Sequence, residues 1–353
     1  MRVRGFPRML GILGTGMRAS AVARRLLETR PPAANVTIFG RDLERVAELE
    51  RAGARQAASP ADLAARSEVI LIVLSGLDEI DQEMSGPSGL QAGVHSPTTV
   101  VIGSAMPPEA ARDLARRLPE STVGLLRVVD APLTGRLESI ATGSLSIMVG
   151  ASSGAYLDLR PVLDLLGHST RVGGVGAGQV AAACGQIVVA ATSMALGEAA
   201  VLAERYGLDL GQVITSWRNG EINSELLESG QDRLVAHQHD PSLPAGEALA
   251  WLQVAELEAA RSATRTDLVR SLRELYQDLA NSDLGDADLS VTQSFVEQRP
   301  PIGVWRQAAQ GETPDEPDSA EEPEDVRIAE PGRRAGVHHV ATPAAARISA
   351  VPR

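Results

Sequence analysis

A glycine-rich segment near the N-terminus has the residue types and the spacing that bind a phosphate group. Residues 9–13 predict a buried strand and residues 19–27 predict a helix, so Gly14 and Gly16 fall in the turn between them. Gly14 permits the tight turn, Gly16 lets a pyrophosphate approach the backbone, and Ala19 permits close packing of the helix on the strand. The first N–H groups of the helix then face the phosphates. The turn therefore predicts a dinucleotide site with contacts from Gly14, Thr15, Gly16, Met17 and Arg18.

The end of the second predicted strand bears on which dinucleotide is bound. In an NAD site this strand usually ends in a carboxylate that binds the ribose 2′-hydroxyl. Here Gly40 stands at that place and Arg41 follows, where it can stack on adenine and pair with a 2′-phosphate. Asp42 argues against this, because a carboxylate repels a phosphate, and the alternative is that Arg41 is a solvated loop residue. We predict NADP as the cofactor, with NADPH preferred over NADH.

Short apolar runs alternate with charged, alanine-rich stretches through the first half of the chain. Such runs are typical of strands that are covered on both faces. The alternation predicts an α/β fold, with an N-terminal Rossmann-type doubly wound parallel sheet. The predicted strands are residues 9–13, 36–39, 69–74, 100–103, 125–129, 145–149 and 170–172, and the predicted helices are residues 19–27, 43–52, 60–66, 78–84 and 108–118.

A glycine-rich hinge at residues 173–178 leads into a region that predicts only helices. The first is a long interdomain helix over residues 179–206, which carries few charges and should be buried on more than one side. Shorter helices are predicted at residues 210–217, 224–231, 244–262, 267–279 and 290–295. We therefore predict a dinucleotide-binding domain at 1–172, an all-helical substrate and dimerisation domain at 173–298, and a disordered acidic, proline-rich tail at 299–353.

Composition limits the partners and the chemistry. The net charge of −12 disfavours nucleic acid and anionic membranes as partners. No apolar run approaches the ~18 residues of a membrane span, and the single cysteine, Cys184, excludes a disulfide framework, so we expect a cytoplasmic protein. No cluster of His, Cys, Asp and Glu has metal-ligand spacing, so no metal is expected. The sequence contains no lysine, so no lysine can donate a proton or bind a phosphate.

Four segments together resemble the β-hydroxyacid dehydrogenases, the family of 3-hydroxyisobutyrate and 6-phosphogluconate dehydrogenases. They are Gly-Thr-Gly-Met-Arg-Ala at 14–19, Asp-Ala-Pro-Leu-Thr-Gly at 130–135, Gly-Ser-Leu-Ser-Ile-Met-Val-Gly at 143–150 and Gly-Gly-Val-Gly-Ala-Gly-Gln at 173–179. The resemblance extends from about residue 9 to residue 295. It implies that Thr134, Gly135 and Arg136 contact the substrate, with Arg136 in place of a family glycine. It also implies that Ser104 lies beside the nicotinamide and that Leu74 and Ser75 line its ribose.

The long predicted helix departs from the family at the positions that carry its chemistry. The family's proton-transferring lysine falls at Ala182, and the two amides that follow it fall at Gly185 and Gln186. A second family lysine falls at about Trp251. A positioned acid contributes ~10²–10⁴-fold to such a reaction, and alanine cannot serve as one. The resemblance therefore leaves Gln186, Thr134 and Arg136 as the candidate catalytic residues, in a cleft that is more apolar than in the family.

Three functions remain open from the sequence. The first is an NADPH-dependent dehydrogenase or reductase of this family, whose proton path uses Thr134, Gln186, the substrate or water. The second is an imine reductase, because that group resembles the family in fold, uses NADPH and lacks the lysine. The third is a non-catalytic NADP-binding protein. We also predict a homodimer, because the apolar residues 188–202 of the long helix would bury best against a second copy.

Overall fold

The structure is a computed structural model that describes residues 5–299. Its strands are β1 (Met9–Leu13), β2 (Asn35–Phe39), β3 (Arg55–Gln56), β4 (Val69–Ile72), β5 (Thr98–Ile102), β6 (Leu126–Asp130), β7 (Leu145–Gly150) and β8 (Gly167–Gly173). The helices of the first half are α1 (Met17–Thr29), α2 (Leu43–Arg51), α3 (Pro60–Ala65), α4 (Leu77–Met84), α5 (Pro108–Ser121), α6 (Leu137–Thr142) and α7 (Ser153–Leu163). Those of the second half are α8 (Ala177–Arg205), α9 (Leu210–Arg218), α10 (Glu225–Ala236), α11 (Ala245–Arg261), α12 (Asp267–Ala280) and α13 (Thr292–Glu297). Short 3-10 helices cover Leu90–Gly93 and Leu289–Val291.

The strands form one sheet in the order β3-β2-β1-β4-β5-β6-β7-β8. Neighbouring strands are parallel, except that β6 and β7 pair antiparallel through Asp130 and Gly150. Strand order reverses at β1, which lies between β2 and β4. In doubly wound sheets a ligand binds beyond the carboxyl ends of the strands at this reversal. The predicted α/β fold with a doubly wound sheet is confirmed.

Burial explains why the strands were recognisable in the sequence. All four residues of β4 and all five residues of β5 are buried, so these strands are apolar or threonine at every position. Two apolar clusters cover the two faces of the sheet, one packed under α1, α2 and α7 and the other under α3, α4 and α5. A sheet covered on both faces produces the continuous apolar runs from which it was predicted.

Three elements of the first half were absent from the prediction. Strand β3 is two exposed polar residues at the sheet edge, so it leaves no apolar signal. Helices α6 and α7 precede and follow β7, and α7 contains Pro161, which argues against a helix in a sequence. Strand β8 is also longer than the predicted 170–172, because Gly167, His168 and Ser169, which give no apolar signal, extend it at its start and Gly173 extends it at its end.

The second half of the described chain is helical, as predicted. No strand occurs between residues 174 and 299, and α8 has 29 residues at nearly the predicted bounds. The described residues, 5–299, belong to one compact unit, so the predicted division at residue 172 remains a prediction. The predicted tail, 299–353, lies almost wholly outside the described residues.

Helix α8 corrects one expectation about apolar runs. Within the described residues it alone is long and apolar enough to cross a membrane by length and composition, with a mean hydropathy of 1.7 over 18 residues. The sequence analysis missed it because polar residues and glycines interrupt the run. Its buried side packs against β7, α10, α11 and α13, and a buried core helix passes the same test.

Candidate active site

A cleft of about 680 Å³ opens at the carboxyl ends of β1, β2, β4 and β5, where the fold predicts a ligand. Helix α11 and the loop at Gly285–Asp286 close its other side. The volume lies in the range of small-molecule and cofactor sites, about 300–1,000 Å³. All nine predicted cofactor contacts line it: Gly14, Thr15, Gly16, Met17, Arg18, Arg41, Leu74, Ser75 and Ser104.

The glycine turn at the floor of the cleft has the geometry that a pyrophosphate needs. Gly14 has a φ of +128°, and a Cβ on it would lie 2.1 Å from the carbonyl oxygen of Val73. A Cβ on Gly16 would meet nothing within 4 Å, so the backbone there is open to a ligand. No side chain caps the N-terminus of α1, which leaves its first N–H groups free for an anion. The residues present therefore fit a dinucleotide.

Two arginines lie at the adenosine end of the cleft. A Cβ on Gly40 would lie 2.3 Å from the Thr15 side chain, which favours glycine at this position, and glycine offers no side chain in place of the usual carboxylate. Arg41 is mostly exposed and pairs with the buried Glu83 at 2.6 Å. Arg45 lies four residues further on, donates to the carbonyl oxygen of Thr15 and also lines the cleft.

The Asp42 carboxylate already has partners within the chain, so it should repel a bound phosphate less than a free carboxylate would. Its carboxylate accepts a hydrogen bond from the backbone N–H of Arg45 and so caps α2. The same carboxylate pairs with the Arg45 guanidinium at 3.2 Å. Sequence analysis missed Arg45 and the carboxylates Glu79 and Glu83. Four-residue spacing puts the two carboxylates on one face of α4, whereas Arg41 precedes α2.

Arg18 joins the glycine turn to the helical region. Its side chain is 11% exposed, and it donates to the carbonyl oxygen of Gly135 at 2.8 Å and to Glu247 of α11 at 2.5 Å. Because it lies in the first turn of α1, it stands between the phosphate end of the cleft and the loop after β6. Glu247 was not identified from the sequence, since its partner lies 229 residues away.

The nicotinamide end of the cleft is held by a network around Ser104. The Ser104 hydroxyl accepts from the backbone N–H of Leu74 at 2.8 Å and so joins the ends of β4 and β5. Gln179, fully buried at the start of α8, donates to the Ser104 carbonyl oxygen and accepts from the Met106 N–H. Ser75 instead bonds to Glu79. Ser104 therefore positions the backbone here, and its hydroxyl is already hydrogen-bonded.

A second, smaller pocket adjoins the cleft and shares Pro244, Glu247 and Trp251 with it. It brings together the predicted residues Thr134 and Gln186, which are 52 positions apart in the chain. No hydrogen bond to another described residue engages either side chain. The rest of the wall is mostly apolar and includes Leu243, Ala248 and Leu289. The pocket encloses only about 10 Å³, so a substrate enters only if these side chains move.

Arg136 does not take the place that was predicted for it. Its guanidinium lies 2.6 Å from the fully buried Asp288 and donates to the Ser229 hydroxyl at 3.0 Å. It lines neither the cleft nor the small pocket. A buried carboxylate is stabilised by a paired cation, and Arg136 supplies one to Asp288. We correct its role from substrate contact to a structural ion pair that joins the loop after β6 to the helical region.

The positions of the missing lysines are apolar in the structure. Ala182 is buried in the cluster formed by α8, α11 and α12, and Trp251 belongs to the same cluster while its edge reaches both pockets. Gly185, at the first amide position, is exposed on α8. Ala182, Gly185 and Gln186 stand at the positions of the family's lysine and two amides on α8. Of these, only Gln186 presents a polar side chain to a pocket.

Comparison with known proteins agrees with this architecture. Residues 9–198 match the family model of the NAD-binding domain of 6-phosphogluconate dehydrogenase. Residues 176–294 match that of the NAD-binding domain of NADP-dependent 3-hydroxyisobutyrate dehydrogenase. The chain therefore belongs to the β-hydroxyacid dehydrogenase family, and it is an NAD(P)-dependent oxidoreductase.

Individual relatives are distant. The chain is 27% identical over 65% of its length to a probable 3-hydroxyisobutyrate dehydrogenase-like protein of Arabidopsis thaliana, of which it covers 70%. A 3-hydroxyisobutyrate dehydrogenase structure from Salmonella typhimurium shares the fold with a TM-score of 0.70 at 23% identity, over 81% of this chain and 98% of that one. An imine reductase from Myxococcus stipitatus in complex with NADP+ has a TM-score of 0.52 at 15% identity, over 82% and 99%.

Proposed function

We propose that the chain transfers hydride between NADPH and a small carbonyl or hydroxy substrate, with Thr134 and Gln186 in place of a lysine. One observation carries the proposal. In a chain without lysine, these two side chains meet in the pocket beside the cofactor cleft, and neither is hydrogen-bonded within the described residues. A few polar groups that converge on a pocket among apolar residues are typical of a substrate site.

The preference for NADPH rests on the adenosine end of the cleft. Arg41 and Arg45 both line it, and no carboxylate stands at Gly40 to accept the ribose hydroxyls. Pairing with Arg45 partly neutralises Asp42. Two guanidinium groups suit a 2′-phosphate, which they can bind through charge-assisted hydrogen bonds.

The side chains of the small pocket would act on the substrate oxygen. Bound NADPH supplies the hydride. The Gln186 amide nitrogen donates a hydrogen bond to that oxygen but does not release a proton. The Thr134 hydroxyl donates a second hydrogen bond and can pass its proton on while taking another from water. Donors aimed at a developing negative charge contribute ~10²–10³-fold each in other enzymes.

The same pocket favours a substrate without a free negative charge. Arg136 is paired with Asp288, Arg18 is paired with Glu247, and the remaining wall is mostly apolar. A carboxylate in this pocket would have no unpaired cation within the described residues. Imine reduction is therefore a second candidate, since an iminium ion is already activated and needs less help from an acid.

The experiment is a fluorescence titration of the full chain with NADPH and NADH, followed by turnover on β-hydroxy acids, aldehydes and cyclic imines. Tighter binding of NADPH with turnover of carbonyl or hydroxy substrates supports the proposal. Turnover of imines alone selects the second candidate. Binding without turnover across the panel favours a non-catalytic NADP-binding protein, and no binding of either cofactor contradicts the cleft assignment.

A further inference from the structure

Three helices bring metal-binding side chains together on the helical region, away from the cofactor cleft. Glu204 lies in the last turn of α8, His237 caps the end of α10, and Glu297 ends α13. One ligand atom from each lies within 4.8 Å of the others. The Glu204 carboxylate is 2.9 Å from His237 Nε2, and the Glu297 carboxylate is 3.5 Å from His237 Nδ1. The sequence predicted no metal site, because these residues are 33 and 60 positions apart.

The cluster carries excess negative charge. Among residues 5–299 neither Glu204 nor Glu297 pairs with an arginine, and each has only His237 as an ionic partner. Two carboxylates then share one imidazole. A dication placed among them would balance the charge. The side chains of His237 and Glu297 are 43% and 36% exposed, so an ion from solvent can reach them.

A buried amide, that of Gln293, also faces this cluster. Gln293 is fully buried, and its amide nitrogen lies 3.2 Å from both oxygens of Glu204 and 3.4 Å from His237 Nε2. Its amide oxygen is buried and has no hydrogen-bond partner. Rotating the amide by half a turn would turn its oxygen toward Glu204 and His237, where it could serve as a further ligand of an ion bound between them.

We propose that Glu204, His237, Glu297 and Gln293 bind a divalent transition-metal cation of the zinc class. One imidazole with carboxylate and amide oxygens suits Zn²⁺, whereas Mg²⁺ and Ca²⁺ prefer oxygen ligands alone. Ligands at about 2.1 Å from an ion are about 3–4 Å apart. The ligand atoms lie within 4.8 Å of one another, and because Glu204 and Glu297 contact different ring nitrogens of His237, one carboxylate must move to the nitrogen that binds the ion.

The ion would join α13 to α8 and α10. Helix α13 has six residues, too few for independent stability, and it carries Phe295 into the apolar cluster that also contains Trp251. Gln293 and Glu297 are one turn apart on α13, so one ion would bind both. The site is therefore structural, and it acts on the helical wall that closes the cleft.

The test uses the full chain, stripped with EDTA and dialysed, and measures ZnCl₂ binding by calorimetry together with thermal unfolding. We expect one Zn²⁺ per chain at this cluster and a rise of several degrees in Tm. His237→Asn keeps a residue that tolerates the left-handed backbone at this position, where φ is +50°. This variant and Glu297→Gln should each weaken Zn²⁺ binding at least tenfold. The visible spectrum of bound Co²⁺ should change in the same variants.

Matched controls separate this cluster from other histidines. His168→Asn removes an exposed histidine on β8, and H338A/H339A removes the adjacent pair at 338–339, outside the described residues. Both should bind Zn²⁺ at the cluster as the parent does. NADPH titration and circular dichroism report folding, and Glu297→Gln decides the question if His237→Asn does not fold. The proposal would be overturned if both cluster variants bound Zn²⁺ as the parent does, or if binding were lost only in H338A/H339A. It would also be overturned if the parent did not bind Zn²⁺ at micromolar concentration.

Discussion

Arg41 is held by a carboxylate, and this contact bears on which cofactor is bound. Glu83, mostly buried in α4, pairs with Arg41 at 2.6 Å, while Arg45 reaches the carbonyl of Thr15 from the next turn. A 2′-phosphate would compete with Glu83 for Arg41. The preference for NADPH over NADH therefore depends on how strongly Arg41 and Arg45 bind the 2′-phosphate in competition with Glu83, and all three residues line the cleft.

We expect the double substitution R41A/R45A to raise the Kd for NADPH at least tenfold and to leave the Kd for NADH nearly unchanged. A hydrogen bond to a charged group contributes ~1.5–3 kcal/mol, which corresponds to about ten- to a hundredfold in Kd. Fluorescence titration with both cofactors measures this. Arg51→Ala, at the far end of α2, is the matched control. Equal weakening for NADH and NADPH would contradict the role, and Glu83→Gln should act in the opposite direction.

Thr134→Val should lower kcat about 100-fold, because it removes one donor to the substrate oxygen. Binding of NADPH should not change, since Thr134 lines the small pocket and not the cofactor cleft. Thr134→Ser should restore most of the rate. Thr142→Val, an exposed threonine at the end of α6, is the control. Steady-state kinetics measures kcat, with the substrate identified among the β-hydroxy acids, aldehydes and cyclic imines. An unchanged kcat in Thr134→Val would remove Thr134 from the mechanism.

Single residues were predictable from the sequence where a backbone requirement reveals them. Gly14 and Gly16 follow from local geometry and were identified correctly as part of the cleft. Arg136 was misplaced because its charge suggested an anion, while its buried partner Asp288 lies 152 residues away. No local pattern predicts that pairing. The metal-binding cluster was missed for the same reason.

At the scale of elements, one buried carboxylate connects the sheet to the long helix. Gly176 immediately precedes α8 at the N-cap position, where its φ of +90° excludes most side chains and it offers no side chain to cap the helix. Asp130, at the end of β6, replaces the cap by accepting from the N–H groups of Gly176 and Gln179 at 2.7 and 2.9 Å. A Cβ on Gly150 or Gly178 would lie 2.1 or 2.7 Å from its carboxylate. The glycines of the family motifs therefore make room for Asp130.

Asp130→Ala should lower the free energy of unfolding by about 3 kcal/mol, because it leaves at least two buried N–H groups without an acceptor at ~1–3 kcal/mol each. Urea denaturation measures the loss. Asp158→Ala removes a partly exposed carboxylate of α7 and should cost less than about 1 kcal/mol, as expected of a surface ion pair. Equal losses in the two variants would contradict the capping role.

The stability difference between the parent and Asp130→Asn should depend on pH. Burial raises the pKa of Asp130 above its ordinary value of 3.8, although the backbone N–H groups of Gly176 and Gln179 oppose the shift. The folded state therefore binds this proton more tightly than the unfolded state. The parent should lose stability relative to the variant as pH rises from 3.8 through the raised pKa. Urea denaturation across that pH range measures the difference in stability. A difference that does not change with pH would contradict the raised pKa of Asp130.

Elements were predicted well where the burial pattern is simple. The central strands are buried throughout and could be identified from apolar runs alone, and α8 was placed to within two residues at its start and one at its end. Strand β3 was missed because it is two exposed polar residues, α6 because it has only six residues, and α7 because Pro161 argues against a helix in a sequence. The antiparallel β6–β7 pair has no sequence signal, since it rests on one bridge between Asp130 and Gly150.

At the scale of the molecule, α8 has an apolar face without a partner among residues 5–299. Val188 and Leu202 are 64% and 59% exposed, and Tyr206, just after the helix, is 79% exposed. Spacings of 14 and four residues put the three side chains on one side of the helix, opposite its buried side. Exposed apolar patches of this kind mark interaction sites. A two-fold axis across α8 would pair the face with itself in a second copy, as in the homodimer that the sequence predicts.

V188E/L202E should convert the protein from dimer to monomer, because two charges per chain would be buried at the interface without partners. Light scattering on size-exclusion fractions at micromolar concentration should give twice the chain mass for the parent and the chain mass for the variant. Val123→Glu introduces the same charge at an apolar residue that is 91% exposed after α5, and it should stay dimeric. A monomeric parent would contradict the homodimer. A dimeric V188E/L202E would instead place the interface elsewhere, and α8 would then need another explanation for its exposed apolar face.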